Sequence, residues 1–152
     1  KVISQLSNKN VQVIWQTGEN EYHIYKNQIA DKVNIAPFIH NMADAYSIAD
    51  LIISRSGALT LAEITVCKKP AILIPLPSSA ADHQLKNAKV LEEKGAAIII
   101  QEKEMKINNF LETILKLLNS KTKLQKMKQA SELLGNPNST SEIVDNIMRE
   151  LK

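Results

Sequence analysis

The sequence has few of the residues that crosslinked, metal-rich or membrane-spanning proteins need. Among its 152 residues there is one cysteine, Cys67, which excludes an internal disulfide and a zinc site built from several cysteines. No apolar run approaches the roughly 20 residues that a bilayer-spanning helix requires. Aromatic residues make up only 4% of the chain, and no segment concentrates charge in the manner of a nucleic-acid-binding arm.

The remaining composition is that of an ordinary globular protein. Apolar residues make up 44% and charged residues 23%, with a net charge of +3, so there is enough apolar surface for a core and intrinsic disorder is excluded. The densest basic run, residues 121–128, is interpreted as a solvated helix face. Contact with anionic lipid headgroups is the alternative. A nucleic-acid partner is not expected.

Short apolar strands alternate with helices over the first two thirds of the chain. The predicted strands cover residues 11–15, 33–39, 51–53, 71–74 and 96–100, and the predicted helices between them cover 19–29, 41–49, 59–66 and 82–94, the last ended by Gly95. Continuous rather than alternating apolar strands are typical of parallel sheets covered on both faces. The order predicts an α/β fold with a Rossmann-like, doubly wound parallel sheet.

Helices alone are predicted after residue 101. In the first helix, the apolar residues that share one face are Ile107, Phe110, Leu111, Ile114 and Leu118. A second helix covers 124–134 and ends near Gly135, and a capping box at Ser139 and Glu142 starts the last one. That helix is expected to bury Ile143, Val144, Ile147, Met148 and Leu151. If it packs against a part of the protein outside this sequence, the same apolar stripe could be partly exposed here. We therefore expect a single domain over residues 1–152, with a sheet part (1–101) and a helical tail (102–152).

One expected feature of a doubly wound sheet is missing. Such sheets usually open with a strand and a glycine-rich phosphate loop. Here residues 2–6 resemble the tail of a helix, and we expect the strand and loop to precede this sequence.

Ligands of open α/β sheets bind beyond the carboxyl ends of the strands, and three following loops are unusual. In the first, Gly57 allows close approach to the backbone, and the N–H groups of Ala58, Leu59 and Thr60 form an anion site suited to a phosphate. Glu63, three residues after Thr60, could accept hydrogen bonds from a ribose diol. The alternative is a plain N-capped helix with a surface glutamate.

The second loop, residues 75–87, ends in clustered polar side chains. Asp82, His83, Gln84 and Asn87 lie at a predicted helix start, where directed donors and acceptors suit a sugar. The alternative is that Asp82 only caps the helix and His83 faces solvent.

The third loop, residues 36–42, offers large apolar side chains. Phe38, Ile39 and Met42 could flank a base whose edge is read by the backbone, although ordinary core packing explains them as well. His40 has no carboxylate partner nearby in the sequence. The histidines also lack metal-ligand spacing, and no Asp-x-Asp, phosphate-loop or nucleophile-elbow motif is present, so no metal or cofactor is expected.

Four segments in this order resemble the MurG family of bacterial cell-wall N-acetylglucosaminyltransferases. They are residues 38–46 (FIHNMADAY), 54–63 (SRSGALTLAE), 70–75 (PAILIP) and 82–88 (DHQLKNA). The match covers nearly the whole chain but only the C-terminal half of that enzyme. The resemblance implies the C-terminal domain of a GT-B fold, which binds the donor UDP-N-acetylglucosamine.

The resemblance also implies roles for individual residues. The backbone at Phe38 and Ile39 would read uracil, and Glu63 would hold the ribose. The other implied substrate-binding residues lie around these, at the diphosphate and the sugar: Met42, Arg55, Ser56, Gly57, Ala58, Leu59, Thr60, His83, Gln84 and Asn87. Some members have glutamine where His83 stands. No catalytic residue is expected in this chain, because the base belongs to the N-terminal half.

The reaction implied is an inverting, metal-independent transfer that converts lipid I to lipid II in peptidoglycan synthesis. The lipid-linked muramyl-pentapeptide acceptor would bind the N-terminal half, at the cytoplasmic face of the inner membrane, as a peripheral protein. Two alternatives stay open. The chain could be a non-catalytic nucleotide-sugar-binding subunit that needs a partner chain, or part of another GT-B enzyme such as a UDP-sugar epimerase.

Overall fold

The computed structural model describes residues 2–27, 32–79 and 82–151, and its elements alternate as the sequence predicts. In chain order they are α1 (Val2–Ser7), β1 (Val13–Gln16), α2 (Glu19–Tyr25), β2 (Val33–Ala36), α3 (Met42–Ile48), β3 (Ile52–Ser54), α4 (Ala58–Val66), β4 (Ala71–Leu73), α5 (His83–Glu93), β5 (Ala97–Ile99), α6 (Ile107–Leu118), α7 (Lys121–Leu134) and α8 (Ser139–Glu150). A short 3-10 turn, Glu102–Glu104, follows β5. No helix among the described residues has both the length and the apolar character needed to cross a bilayer.

The contacts divide the chain into two compact units. The first comprises the residues up to Ala49 together with Met105–Asn119. Its sheet is a parallel pair in which Val13 of β1 lies opposite Val33 of β2. Helices α1 and α6 pack together in this unit. Leu6, Tyr46, Ile114 and Leu117 are its buried apolar residues.

The second unit comprises Asp50–Glu104 and the residues from Ser120 onward. Its parallel sheet has the order β3-β4-β5, and Ser54, the last residue of β3, lies opposite Leu73 of β4. The central strand β4 is fully buried, as expected for a strand with a neighbour on each side and helices over it. Helix α5 packs on β5 and helix α4 packs on α7.

The C-terminal end of α4 is closely joined to α7. Ser131 Oγ donates to the main-chain oxygen of Ile64 at 3.4 Å, and Lys68 Nζ forms an ion pair with Glu132 at 2.6 Å. Gly135, just after α7, fits because a Cβ there would lie 2.7 Å from the main-chain oxygen of Thr65. These contacts join α4 to the helical tail.

Element order is confirmed, and the differences lie at element ends. Four of the five strands are shorter than predicted, and β3 keeps its length but lies one residue later. Strand β2 stops before Pro37, which has no N–H to donate to a ladder. Helix α7 begins three residues earlier than predicted, because Ser120 caps it by accepting from the N–H of Lys123. Helix α2 ends at Tyr25, four residues before its predicted end at residue 29, which lies outside the described residues. Gly95, with φ of +79°, follows α5 as predicted.

Two predictions for α8 are wrong. The capping box does not form: the N-cap is Asn138, and Glu142 Oε2 accepts from Asn136 Nδ2 at 2.8 Å instead. The apolar face is exposed rather than buried. Its members are between 52% and 76% accessible, namely Ile143, Val144, Ile147, Met148 and Leu151. An amphipathic pattern defines an apolar face but cannot supply the surface that covers it.

Similar corrections apply to α6. Ile107, predicted on the buried face, is 47% exposed, whereas Leu117, which the prediction omitted, is 1% exposed. The buried stripe therefore runs through Ile114 and Leu117, three residues apart.

Candidate functional site

The start of helix α4 is open. Strand β3 ends at Ser54, and α4 begins at Ala58 with Gly57 as its N-cap. No side chain caps this end, and Ala58 and Leu59 are exposed. The first N–H groups of a helix have no partner within the helix and carry its positive partial charge. This end of α4 can therefore receive an anion.

Gly57 adopts an ordinary backbone conformation. Its φ of −65° and ψ of 146° are accessible to any residue, and an added Cβ would meet only Thr60 Oγ1, at 3.9 Å. Neither strain nor crowding within the protein requires glycine here. A ligand lying against the backbone would supply such a requirement. Glu63 is exposed on α4, one turn after the half-buried Thr60.

Ser56 lies beneath this open end, with its polar groups satisfied inside the protein. Its side chain is fully buried, and Oγ donates to the main-chain oxygen of Gln84 at 2.8 Å. Its N–H donates to Gln84 Oε1 at 3.3 Å, and its carbonyl accepts from Asn87 Nδ2 at 3.5 Å. The structure thus uses Ser56 and Asn87 to join the loop after β3 to helix α5. Direct ligand contact by either one stays a prediction.

Gln84 joins two strand ends. Its Oε1 also accepts from the N–H of Leu76, at 3.0 Å, in the segment that follows β4. Two accepted hydrogen bonds fix the amide orientation and leave the Nε2 group as the donor available to a ligand. His83, the first residue of α5, is exposed beside it, and Asp82 before it has a left-handed φ of 56° without a side-chain cap. Asp82 thus occupies the N-cap position that the alternative gave it, but its side chain makes no capping hydrogen bond, and His83 is exposed as that alternative expected.

Arg55 lies in the loop after β3, and its guanidinium makes hydrogen bonds and an ion pair within the protein. Nη1 donates to the carbonyls of Ile74 and Pro75 at 3.2 and 3.4 Å, and Nη2 forms an ion pair with Glu102. Arg55, predicted to bind substrate, thus contacts the segments that follow two other strands.

The predicted base-reading residues belong to the other unit. Phe38 is 56% exposed and packs edge-on against His40, with ring centroids 5.2 Å apart. The N–H of Ile39 donates to Gln16 Oε1 at 2.8 Å. Met42 is the first residue of α3 and half-buried. The exposed Phe38 ring contradicts the alternative of ordinary core packing for that residue.

The structure brings most of the predicted residues of the second unit to one edge of its sheet. Residues 55–60 follow β3, and the polar start of α5 lies on the connection after β4, so both groups follow the carboxyl ends of adjacent parallel strands. Phe38, Ile39 and Met42 are brought together by β2 and α3 in the first unit. Residues 80 and 81 of the second loop lie outside the described residues.

Two residues that bind predicted site residues were not themselves predicted from the sequence: Gln16, which accepts from Ile39, and Glu102, which pairs with Arg55. Gln16 is the last residue of β1, and Glu102 opens the turn after β5. Extending the strand-end rule to all five predicted strands would have found both. Within the described ranges, no group of three or more His, Cys, Asp or Glu residues could hold a metal ion.

Comparison with known proteins shows the family of this chain. The profile of the glycosyltransferase family 28 C-terminal domain matches residues 1–147. Relatives from Bacillus cytotoxicus and Listeria monocytogenes serotype 4a are 40% and 35% identical over 99% of this chain. Both are named UDP-N-acetylglucosamine--N-acetylmuramyl-(pentapeptide) pyrophosphoryl-undecaprenol N-acetylglucosamine transferase. The chain spans 43% of the length of each.

Solved structures agree on the fold. The crystal structure of Acinetobacter baumannii MurG matches 91% of this chain and 43% of its own, with a TM-score of 0.81 and 35% identity. Glycosyltransferase VinC, solved in complex with dTDP, matches 97% of this chain and 35% of its own at a TM-score of 0.74, and its 16% identity supports likeness of fold alone. The predicted α/β fold of a GT-B C-terminal domain is thereby confirmed. Because the profile covers residues 1–147, this chain belongs to the glycosyltransferase family 28 C-terminal domain family.

Proposed function

We propose that this chain is the donor-binding half of an inverting N-acetylglucosaminyltransferase that uses UDP-N-acetylglucosamine to convert lipid I to lipid II. The observation that carries the proposal is the uncapped, exposed start of α4, in a chain at least 35% identical to named transferases of this kind. The diphosphate lies against the N–H groups of Ala58, Leu59 and Thr60. Glu63 accepts hydrogen bonds from the ribose hydroxyls.

The remaining donor groups are assigned to other predicted residues. The backbone of Phe38 and Ile39 reads uracil, with Met42 beside it. His83 and Gln84 contact the sugar hydroxyls, and the two accepted hydrogen bonds of Gln84 support a donating role for its Nε2.

In the reaction, the muramyl 4-hydroxyl of the acceptor attacks C1 of the sugar. The bond between C1 and the diphosphate oxygen breaks, and UDP leaves with the electron pair. Charge grows on that diphosphate in the transition state, where the dipole of α4 and its free N–H groups stabilise it. The proton of the attacking hydroxyl goes to a base outside this chain. The acceptor and the cytoplasmic face of the inner membrane are contacted through the part of the protein that this chain does not include.

Calorimetric titration with UDP, UMP and ADP tests the binding role. We expect UDP to bind more tightly than UMP, because only UDP carries the second phosphate, and ADP to bind weakly. Loss of a charge-assisted hydrogen-bonded pair costs about 1.5–3 kcal/mol, so Glu63→Ala should weaken UDP binding at least about tenfold. Glu93→Ala, at an exposed glutamate near the end of α5, is the matched control.

Equal UDP affinity in Glu63→Ala and the unchanged chain would show that Glu63 does not bind the ribose. Transfer itself requires the full-length protein, a lipid-linked muramyl acceptor and analysis of the product. A lengthened glycan with release of UDP supports the transferase. Recovery of only an epimerised donor would support the epimerase alternative instead.

A further inference from the structure

Arg55 joins the segments that follow three neighbouring strands. It comes directly after β3, its Nη1 donates to the carbonyls of Ile74 and Pro75 after β4, and its Nη2 pairs with Glu102 after β5. A planar guanidinium has enough donors to make all three contacts at once, whereas an ammonium is a single point charge. The side chain therefore crosslinks the carboxyl edge of the sheet.

The contacts of Gln84 complement those of Arg55. Gln84 Oε1 accepts from the N–H groups of Ser56 and Leu76, the residues that follow Arg55 and Pro75 in the chain. Arg55 thus fixes the carbonyl side of the segment after β4, and Gln84 fixes its N–H side. Displacing Pro75 would move Leu76, and with it the partner that orients the Gln84 amide.

The charge of Arg55 is already compensated. Glu102 neutralises the guanidinium, and the two side chains are 46% and 42% exposed, so neither must find a partner outside the protein. An arginine that served chiefly as a phosphate ligand would gain from a free charge. The carbonyl contacts and the carboxylate instead indicate a structural connection at the edge of the site.

We propose that Arg55, held by Glu102, is a positioning residue that sets the sugar-binding end of the site through the segment after β4 and Gln84. This assignment rests on the proposed function and adds a residue, Glu102, to it. Arg55 acts on the sugar end because the segment it fixes leads into α5. Its side-chain contacts are with the segments after β4 and β5 rather than with the start of α4.

The test compares the dissociation constants of UDP and UDP-N-acetylglucosamine for each variant by calorimetry. Losing these hydrogen bonds should cost Arg55→Ala about tenfold in affinity for the nucleotide sugar, with less than about threefold lost for UDP. The ratio of the dissociation constant of UDP-N-acetylglucosamine to that of UDP therefore rises in Arg55→Ala. Glu102→Ala should raise the same ratio, but by less. Glu102→Gln keeps an acceptor oxygen, so its ratio should lie close to that of the unchanged chain. Arg149→Ala, at the other arginine of the chain, is the control for charge and should leave the ratio unchanged.

A direct phosphate role predicts a different result. Arg55→Ala would then weaken both ligands equally, and Glu102→Ala would strengthen UDP binding by freeing the guanidinium. Either outcome, with normal UDP binding by the unchanged chain, would overturn the positioning role and leave the proposed function standing. Absence of UDP binding by the unchanged chain would overturn both. Glu102→Ala, at a half-exposed position, keeps the test available if Arg55→Ala does not fold, because only the direct phosphate role predicts stronger UDP binding by that variant.

Discussion

The side-chain oxygen of Gln84 accepts a hydrogen bond from the main-chain N–H of Ser56, 28 residues earlier in the sequence, at 3.3 Å. The same oxygen accepts from the N–H of Leu76 at 3.0 Å. One amide therefore satisfies two N–H groups at the ends of adjacent strands, where no ladder partner follows. Ser56 is fully buried, and a buried donor left without a partner would cost about 1–3 kcal/mol, so this side chain contributes to stability as well as to the proposed site.

The two roles of Gln84 can be separated by substitution. Gln84→Glu keeps the accepting oxygen but replaces the donating Nε2 with a second negative oxygen. We expect stability close to that of the unchanged chain and an affinity for UDP-N-acetylglucosamine about tenfold lower. Gln84→Leu removes both roles and should also lower the melting temperature. Calorimetry and thermal denaturation measure the two effects. Unchanged affinity for UDP-N-acetylglucosamine in Gln84→Glu would show that Gln84 Nε2 does not contact the sugar.

Gly57 is expected to matter to the ligand but not to the fold. Because its backbone conformation suits any residue, whereas alanine is a poorer N-cap than glycine, Gly57→Ala should change the free energy of unfolding by less than about 1 kcal/mol. The new methyl group lies at the open start of α4 and should weaken UDP binding by about 1.4 kcal/mol, or tenfold. Isothermal calorimetry and chemical denaturation report the two quantities.

The matched control is Gly95→Ala. Gly95 has φ of +79°, so alanine there should cost about 1–2 kcal/mol of stability and leave UDP affinity unchanged. Undiminished UDP affinity in Gly57→Ala would contradict an anion site at α4.

Gln16 is expected to compete with a pyrimidine for the N–H of Ile39. If that N–H reads uracil, a base must displace Gln16 Oε1, which now accepts from it at 2.8 Å. Gln16→Ala should lower the dissociation constant of UMP about two- to tenfold, the equivalent of one net hydrogen bond. Gln16→Glu should raise it, since a carboxylate is a stronger acceptor. Weaker UMP binding by Gln16→Ala would instead make Gln16 a ligand of the base.

The ion pair between Lys68 and Glu132 predicts a pH dependence of stability. The hydrogen bond that Lys68 donates is the larger cause, and the positive charge of Lys68 the next, of a pKa of Glu132 below the ordinary value. A depressed folded-state pKa means that the stabilisation is present above the unfolded-state pKa of about 4.3 and is lost as the pH falls through the folded value. We expect Glu132→Gln to lower the melting temperature near neutral pH and to have no effect in strong acid.

Lys68→Gln should reproduce this pattern, and high salt should reduce it, because the pair is about half exposed. An equal loss of melting temperature at neutral and acid pH would attribute the effect to packing of the glutamate rather than to its charge.

Element order could be predicted from the sequence because strand-sized apolar runs and capped helices are local signals. The ends were less predictable: Ile74 follows β4, yet its N–H still donates to Ser54 at 2.9 Å, so apolar character and ladder pairing stop at different residues. The open start of α4 was also predictable, since Gly57 and the residues after it leave no side chain to cap it.

The partners of polar side chains could not be predicted from the sequence. The polar pattern at Gln84 and the family resemblance at Arg55 indicated a ligand, whereas the structure gives both residues main-chain partners in the segment after β4. Such pairings depend on the register of β3 against β4, which a linear pattern does not specify. The exposure of α8 has the same origin, because a helix pattern states which side is apolar and not what lies against it.

The close fit of Gly135 against Thr65 bears on how this polypeptide can be divided or grafted. Helix α4, whose first turn faces the proposed diphosphate, is braced at its far end by residues that follow about 67 positions later. Truncating the chain after the last strand would remove that brace and leave α4 packed chiefly against α5. A chimera that exchanges donor specificity should therefore transfer α7 and its terminal glycine along with the strand-end loops.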